Sequence, residues 1–286
     1  MTTATCELAG YRIPVSANWA MLREPWLLGG SSPITTERHH RDSSYTDDRA
    51  LMKHRYAYEN ELVQDLLASL RQAAVSPLPL NAAWSEVVFA TRVVDVVALC
   101  GAFEQEHVQT LVGLSDSDLL ALAAVSTLEP ITVERLSGLL GLPNTRSTGV
   151  PVQVSRLLDR GLVSRSPNAL RSTIRSTLEM CEVVAIEAKL HKHRQVLRQA
   201  EQNLSIADTS FVAVPINYAF KEEFLQDCGE RGVGVLVVDP SASMVVRQPR
   251  RTRAVRRGIV RNHFALRLLQ ERVTQAGRWT SREGLV

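Results

Sequence analysis

Cysteine is sparse and scattered in this chain. Its four cysteines, Cys6, Cys100, Cys181 and Cys228, include no Cys-x-x-Cys and have no neighbouring histidine pair. That excludes a zinc-finger type of site and a disulfide framework, and it fits a reducing cytosol. Cys100 and Cys181 stand where apolar runs end and begin, the usual place of a buried packing thiol. Long apolar runs are missing as well. None reaches the length of a membrane span, and residues 1–30 lack the basic start and clean apolar core of a secretory signal. No membrane partner is therefore expected, and the expected location is cytoplasmic. A phosphate-cradling glycine loop is also absent: Gly232-x-Gly234 opens an apolar strand, and no helix follows it.

What is present suits a core-forming chain. Of 286 residues, 45% are hydrophobic, enough for one large domain or two modest ones. The net charge of +3 hides an asymmetry. Residues 244–286 hold 11 arginines against two acids, and the remainder of the chain is net negative. Seven of these arginines (Arg247, Arg250, Arg251, Arg253, Arg256, Arg257 and Arg261) fall within 15 residues with no acid among them. Neutralisation of nucleic-acid phosphates is the economical account of that density.

In chain order, residues 1–50 read as an N-terminal extension. Its histidine pair, His39 and His40, has no further ligand at helical spacing and reads as solvated loop. A helical pattern spans 51–74, with Glu59 in the middle of the Leu62/Val63/Leu66/Leu70 stripe and Glu61 opposite. Pro77 and Pro79 end it. Ala83–Ala90 and Arg92–Cys100 read as adjacent strands. Ser115 to Gly161 then reads as three helices closed by glycine, with the short strand Leu162-Val163-Ser164-Arg165 behind them. From Cys181 onward strands and helices alternate: an apolar strand to Lys189, a helix to about Ser205, the strand Phe211–Pro215, a helix to Arg231, and the strand Gly232–Asp239. That alternation implies an α/β sheet with helices on both faces.

Three features carry candidate chemistry. Asp95 lies inside the apolar run Val93-Val94-Asp95-Val96-Val97, where a charge is costly unless paired or bound to metal. Glu187-Ala188-Lys189 closes another apolar strand, and strand alternation predicts Glu187 and Lys189 on one side with Ala188 turned into the core. Glu59 is an acid on the inner face of a helix. Glu86, near the first strand, is a reserve acid.

The ordered set Glu59, Asp95, Glu187-Ala188-Lys189, with Gln199-Ala200 on the following helix, resembles the PD-(D/E)XK, or restriction-endonuclease-like, nuclease superfamily. The likeness is to its Holliday-junction-resolvase-like and Mrr-like members, and it covers about residues 55–100 and 180–240. One departure is that about 90 residues, rather than a short hairpin, separate Asp95 from Glu187. The three helices within this gap, ending Leu157-Leu158-Asp159-Arg160-Gly161-Leu162-Val163, resemble the winged helix-turn-helix of MarR-like regulators.

These resemblances imply a restriction-endonuclease-like mixed sheet flanked by helices, with an inserted all-α/winged-helix module. The nuclease-like domain would be 51–103 and 179–243, the insertion 104–178, and the basic C-terminal tail 244–286. The implied activity is Mg²⁺- or Mn²⁺-dependent cleavage of DNA phosphodiester bonds, in repair, restriction or mobile-element and phage defence. The implied metal ligands are Asp95, Glu187, the Ala188 carbonyl and Glu59, with Lys189 orienting or helping to deprotonate the attacking water and Gln199 beside the site. DNA contacts would come from Arg146, Gln153, Arg156 and Arg165 in the insertion, and from Arg247, Arg250, Arg251, Arg253, Arg256 and Arg257 in the tail. Partners would be duplex or branched DNA, a second copy of the chain for two-strand cleavage, and other defence or repair proteins. The competing expectation is a DNA-binding regulator or defence component whose nuclease core is a catalytically degenerate scaffold.

Overall fold

The computed structural model describes residues 4–8, 11–15, 56–71, 78, 80–89, 92–101, 105–142, 150–167, 169–191, 193–216, 222–240, 242–250 and 258–283. His39, His40, Arg146, Arg251, Arg253, Arg256 and Arg257 lie outside them, as does most of 1–50. Within that extension, β1 (Ala4–Leu8) and β2 (Tyr11–Val15) pair as an antiparallel hairpin.

The β-branched, apolar runs form one six-stranded mixed sheet. Its strands are β3 (Leu80–Phe89), β4 (Arg92–Cys100), β7 (Glu182–Ala188), β8 (Thr209–Pro215), β9 (Gly234–Asp239) and β10 (Ala242–Arg247), in the spatial order β10-β9-β8-β7-β4-β3. β4 runs antiparallel to both of its neighbours, β3 and β7. β7, β8 and β9 are parallel, as the helices between them, α7 (His193–Asn203) and α8 (Glu222–Glu230), require. The α/β class and mixed sheet follow.

Helix α1 (Glu59–Arg71) covers one face of this sheet. Leu62, Leu66, Leu67 and Leu70 are buried there with Val96, Ala98, Ile186 and Ala188, each leucine contributing about 1.5–3 kcal/mol of transfer free energy. The opposite face is covered by α7 and α8 through Val196, Ala200 and Phe224, and by α9 (Ile259–Glu283) through Phe264 and Leu266.

Between β4 and β7, which are direct neighbours, the chain builds α2 (Gln105–Gln109), α3 (Asp116–Leu128), α4 (Val133–Leu140), α5 (Val152–Asp159), the hairpin β5 (Val163–Ser166) and β6 (Ala169–Ser172), and α6 (Arg175–Met180). Local chemistry sets the ends. Ser115 and Asp118 form a reciprocal capping box on α3, Thr132 caps α4, and Gly141 stops α4 with φ 62°. The core of this segment is continuous with that of the sheet. Leu119, Leu122, Leu136 and Leu157 belong to the same buried cluster as Leu99, Val183 and Phe264.

The C-terminal expectation changes. The boundary placed at residue 244 falls inside β10, and α9 packs into the core through Phe264, Leu266, Leu268 and Leu269. Arg261, counted with the phosphate-binding arginines, is fully buried. Its guanidinium donates to Asp208 from Nε at 3.1 Å and from Nη2, to the Leu178 carbonyl at 3.1 Å, and to the Cys181 carbonyl. Asp208 also accepts from the Val183 backbone at 2.8 Å. This buried pair stitches α9 to the entry of β7 and is not available to DNA. Among the described residues, no helix is long and apolar enough to cross a membrane.

Candidate active site

Asp95 and Glu187 meet where the β4–β7 ladder ends. Its last pair is Val96 with Ile186, so the next step of the same register places Asp95 opposite Glu187. Asp95 is the neighbouring charge that acts most strongly on Glu187. Past that point the Asp95 side chain replaces the backbone ladder: its Oδ2 accepts from the Ala188 N–H at 2.9 Å. β4 also slips in facing here, since Val94 packs on the α9 side and Val96 on the α1 side. Asp95 is thereby released from both cores.

Glu187 is 2% exposed. Its Oε1 accepts from Asn203 Nδ2, at the end of α7, at 2.6 Å. Burial, and then the charge of Asp95, push its carboxyl up to about 7. Lys189 turns the other way. It lies just past the end of β7, and its Nζ donates to Glu59 Oε2 at 2.7 Å and stands 3.7 Å from Asp95 Oδ2. Burial works against the ammonium, but the bond to Glu59 and the charges of Asp95, Glu59 and Glu187 outweigh it and raise its pKa above the usual lysine value. A lysine held so firmly protonated donates and orients; it is a poor general base. The expected common side for Glu187 and Lys189 is thus corrected: they diverge toward α7 and α1 respectively, with Asp95 opposite Glu187 in register and 3.7 Å from the Lys189 ammonium.

Glu59 is the first residue of α1 and is exposed rather than buried in the leucine stripe. It sits at the helix N-terminus, where the amide dipoles favour a carboxylate. Glu61 accepts from the backbone N–H of Ala57 and of Tyr58, which fixes the entry to the helix. A cleft of about 180 Å³ is lined by Glu59, Asn60, Gln64, Glu86, Asp95 and Lys189, with Val63, Ser85 and Ala188 completing its wall. Glu187 does not line it. Glu86 stands opposite Asp95 in the β3–β4 register, between the pairs Ser85–Val96 and Val87–Val94. Its backbone has φ 52°, a left-handed conformation that costs a non-glycine residue about 1–2 kcal/mol.

No family model matches the chain, and no curated protein matches its sequence. Among solved structures, a protein of unknown function from Silicibacter pomeroyi is similar at 17% identity over 58% of this chain and 94% of that one, with a TM-score of 0.24. A likeness that loose carries no argument about fold or chemistry.

Gln199 lies one turn before Asn203 on the same stripe of α7, and its Oε1 is shielded without a hydrogen-bond partner. Asn203 does not stand out in the sequence. The available signal is a second amide four residues beyond Gln199. Of the expected nucleic-acid contacts, Arg165 is exposed on β5 and Gln153 is half-buried on α5. Arg156 is engaged by the buried carboxylate of Asp118, whose pKa lies below the ordinary value: burial opposes ionisation, but bonds from Ser115 and Arg156 prevail. Arg250 is exposed, and Arg247 is half-buried against Gly229, where a side chain larger than hydrogen would collide with its guanidinium.

The site's chemistry fits a hard divalent cation in kind. Two carboxylates set opposite each other, one of them buried, leave negative charge that such an ion relieves. Among the described residues there is no group of three or more His, Cys, Asp or Glu side chains placed to hold an ion by themselves. Mg²⁺ does not need one, since it keeps several waters and takes one or two carboxylates. Thiol chemistry is disfavoured: burial pushes Cys181 and Cys228 up to about 12.

Proposed function

We propose that the chain is a metal-dependent DNA endonuclease. The observation that carries this reading is the placement of Asp95 opposite Glu187, one register step past Val96 and Ile186, with the Lys189 ammonium 3.7 Å from Asp95 at the wall of an open cleft. Asp95 and Glu187 would hold Mg²⁺ or Mn²⁺, with Ala188 beside them. When bound, the ion supplies Lewis-acid polarisation of a phosphoryl oxygen and a more acidic water. Lys189 would orient the water or steady the charge developing on phosphate. Glu59 holds the Lys189 ammonium in place, and Gln199 offers an unengaged carbonyl beside Asn203.

The restriction-endonuclease-like and winged-helix readings belong to this proposal. The first is supported by the mixed sheet carrying the acid–acid–lysine set at one end. The second is supported by the order of three helices followed by a two-stranded hairpin. Sequence-independent affinity would come from the exposed arginines, Arg165 and Arg250 among them, by phosphate neutralisation.

One observation favours a scaffold reading instead, in which the insertion binds DNA and the core no longer cleaves: Glu187 is buried and does not line the cleft, and Lys189 is ion-paired with Glu59. Incubation of supercoiled plasmid with Mg²⁺, Mn²⁺, Ca²⁺ or chelator separates the two. The endonuclease reading expects nicked or linear product with Mg²⁺ or Mn²⁺, and none with chelator. DNA binding with no cleavage under any ion would establish the scaffold.

A further inference from the structure

Asn203 is buried at 3% exposure, and its Nδ2 reaches Glu187 Oε1 at 2.6 Å. Its backbone is held as well. Its carbonyl accepts from Ile206 and Ala207 at 3.0 and 2.9 Å, closing the turn that leads into β8. The preceding carbonyl, that of Gln202, accepts from Arg92 Nη1 at 2.8 Å. Arg92 opens β4, the strand of Asp95. The end of α7 is therefore tied to the strands carrying both acids of the pair: to β4 through Arg92, and to β7 through Asn203 itself.

The type of side chain matters here. Glu187 is buried beside a second carboxylate, so its orientation cannot be set by solvent. A lysine or arginine at 203 would fix it but would neutralise the pair and exclude a cation. An acid would repel it. A short neutral amide donor holds one oxygen, leaves the net charge of the pair intact, and turns the carboxylate edge toward Asp95.

We infer that Asn203 is the positioning residue of the metal site: it fixes Glu187 Oε1 so that the rest of the Glu187 carboxylate, with Asp95, presents as one divalent-cation ligand set. The inference rests on the metal-site reading above and extends it to a residue that touches neither ion nor substrate. Loss of an outer hydrogen bond of this kind typically weakens metal binding about 10–100-fold.

The test is Mn²⁺ titration by calorimetry on the full-length protein and on Asn203→Leu, Asn203→Gln, Glu187→Gln and the double variant Asn203→Leu/Glu187→Gln, with a melting curve for each. Asn203→Leu is expected to weaken Mn²⁺ binding at least tenfold while still melting cooperatively, and Asn203→Gln, which keeps the donor, to recover part of the loss. In the Glu187→Gln background, Asn203→Leu should change the affinity no further, because its effect runs through Glu187. Mn²⁺ affinity of Asn203→Leu within twofold of the parent, while Glu187→Gln weakens it, overturns the role of Asn203 and leaves the metal site standing. If Asn203→Leu does not fold, the decision passes to Asn203→Gln: its affinity must fall between those of the parent and Glu187→Gln, and parental affinity overturns the inference. Absence of Mn²⁺ binding by the parent overturns the metal-site reading and this inference with it.

Discussion

Asp95 and Glu187 face each other one register step beyond Val96 and Ile186, the last hydrogen-bonded pair of β4 and β7. Two acids brought together at a strand end, one of them 2% exposed, are costly to the apoprotein. Cost of this kind marks a candidate functional site.

The first consequence is a dependence of stability on pH. The Glu187 carboxyl titrates near 4.5 in the unfolded chain and at about 7 in the folded one, so between these values the folded state binds more protons. Stability of the metal-free protein then falls as pH rises through that window, by on the order of 3 kcal/mol. Urea unfolding at a series of pH values should show this decline, and Glu187→Gln should flatten it. A stability that rises across the window in the parent would contradict the burial of an acid pair.

Arg261 should matter to folding and not to DNA. Removing one partner of a buried ion pair typically costs about 3–5 kcal/mol, so Arg261→Met is expected to lower the melting temperature strongly. Replacing Asp208 with leucine in the same chain should restore part of the loss. A melting temperature unchanged by Arg261→Met would mean that the pair with Asp208 does not hold α9 to β7.

The arginines between β10 and α9 should behave in the opposite way. Deleting the C-terminal segment is not the test, because it would remove β10 and the core residues of α9. Substituting Arg250, Arg251, Arg253, Arg256 and Arg257 with glutamine should keep the fold. For each phosphate that is no longer neutralised, the slope of log affinity against log salt should flatten by about 0.9. An unchanged slope would remove these arginines from the proposed DNA-binding surface.

Much of this is legible in the sequence, and the limits are physical. Helix α4 can be read to its ends, because Thr132 and Gly141 act locally. The parallel strands β8 and β9 follow from apolar runs alternating with helices. Asp95 stands out because its neighbours are all β-branched. Arg261 does not: within a run of arginines nothing local separates one that finds Asp208, 53 positions away, from one that faces solvent as Arg250 does. The hold of Asn203 on Glu187 is likewise a meeting of two elements, and the divergence of Glu187 from Lys189 arises because β7 ends between them. The periodicity of a strand cannot report a turn taken after its last residue.

The most direct measurement is the cleavage of supercoiled plasmid by the Lys189→Ala variant beside the parent, in Mg²⁺, with DNA affinity measured for both over one salt series. Lys189 is a single charge at the cleft wall, so the substitution should leave affinity and its salt slope unchanged within error. It should lower the cleavage rate by about two orders of magnitude or more, on the scale of a lost electrostatic stabiliser. Parental cleavage by Lys189→Ala, with equal metal dependence, would contradict the active site proposed for Asp95, Glu187 and Lys189.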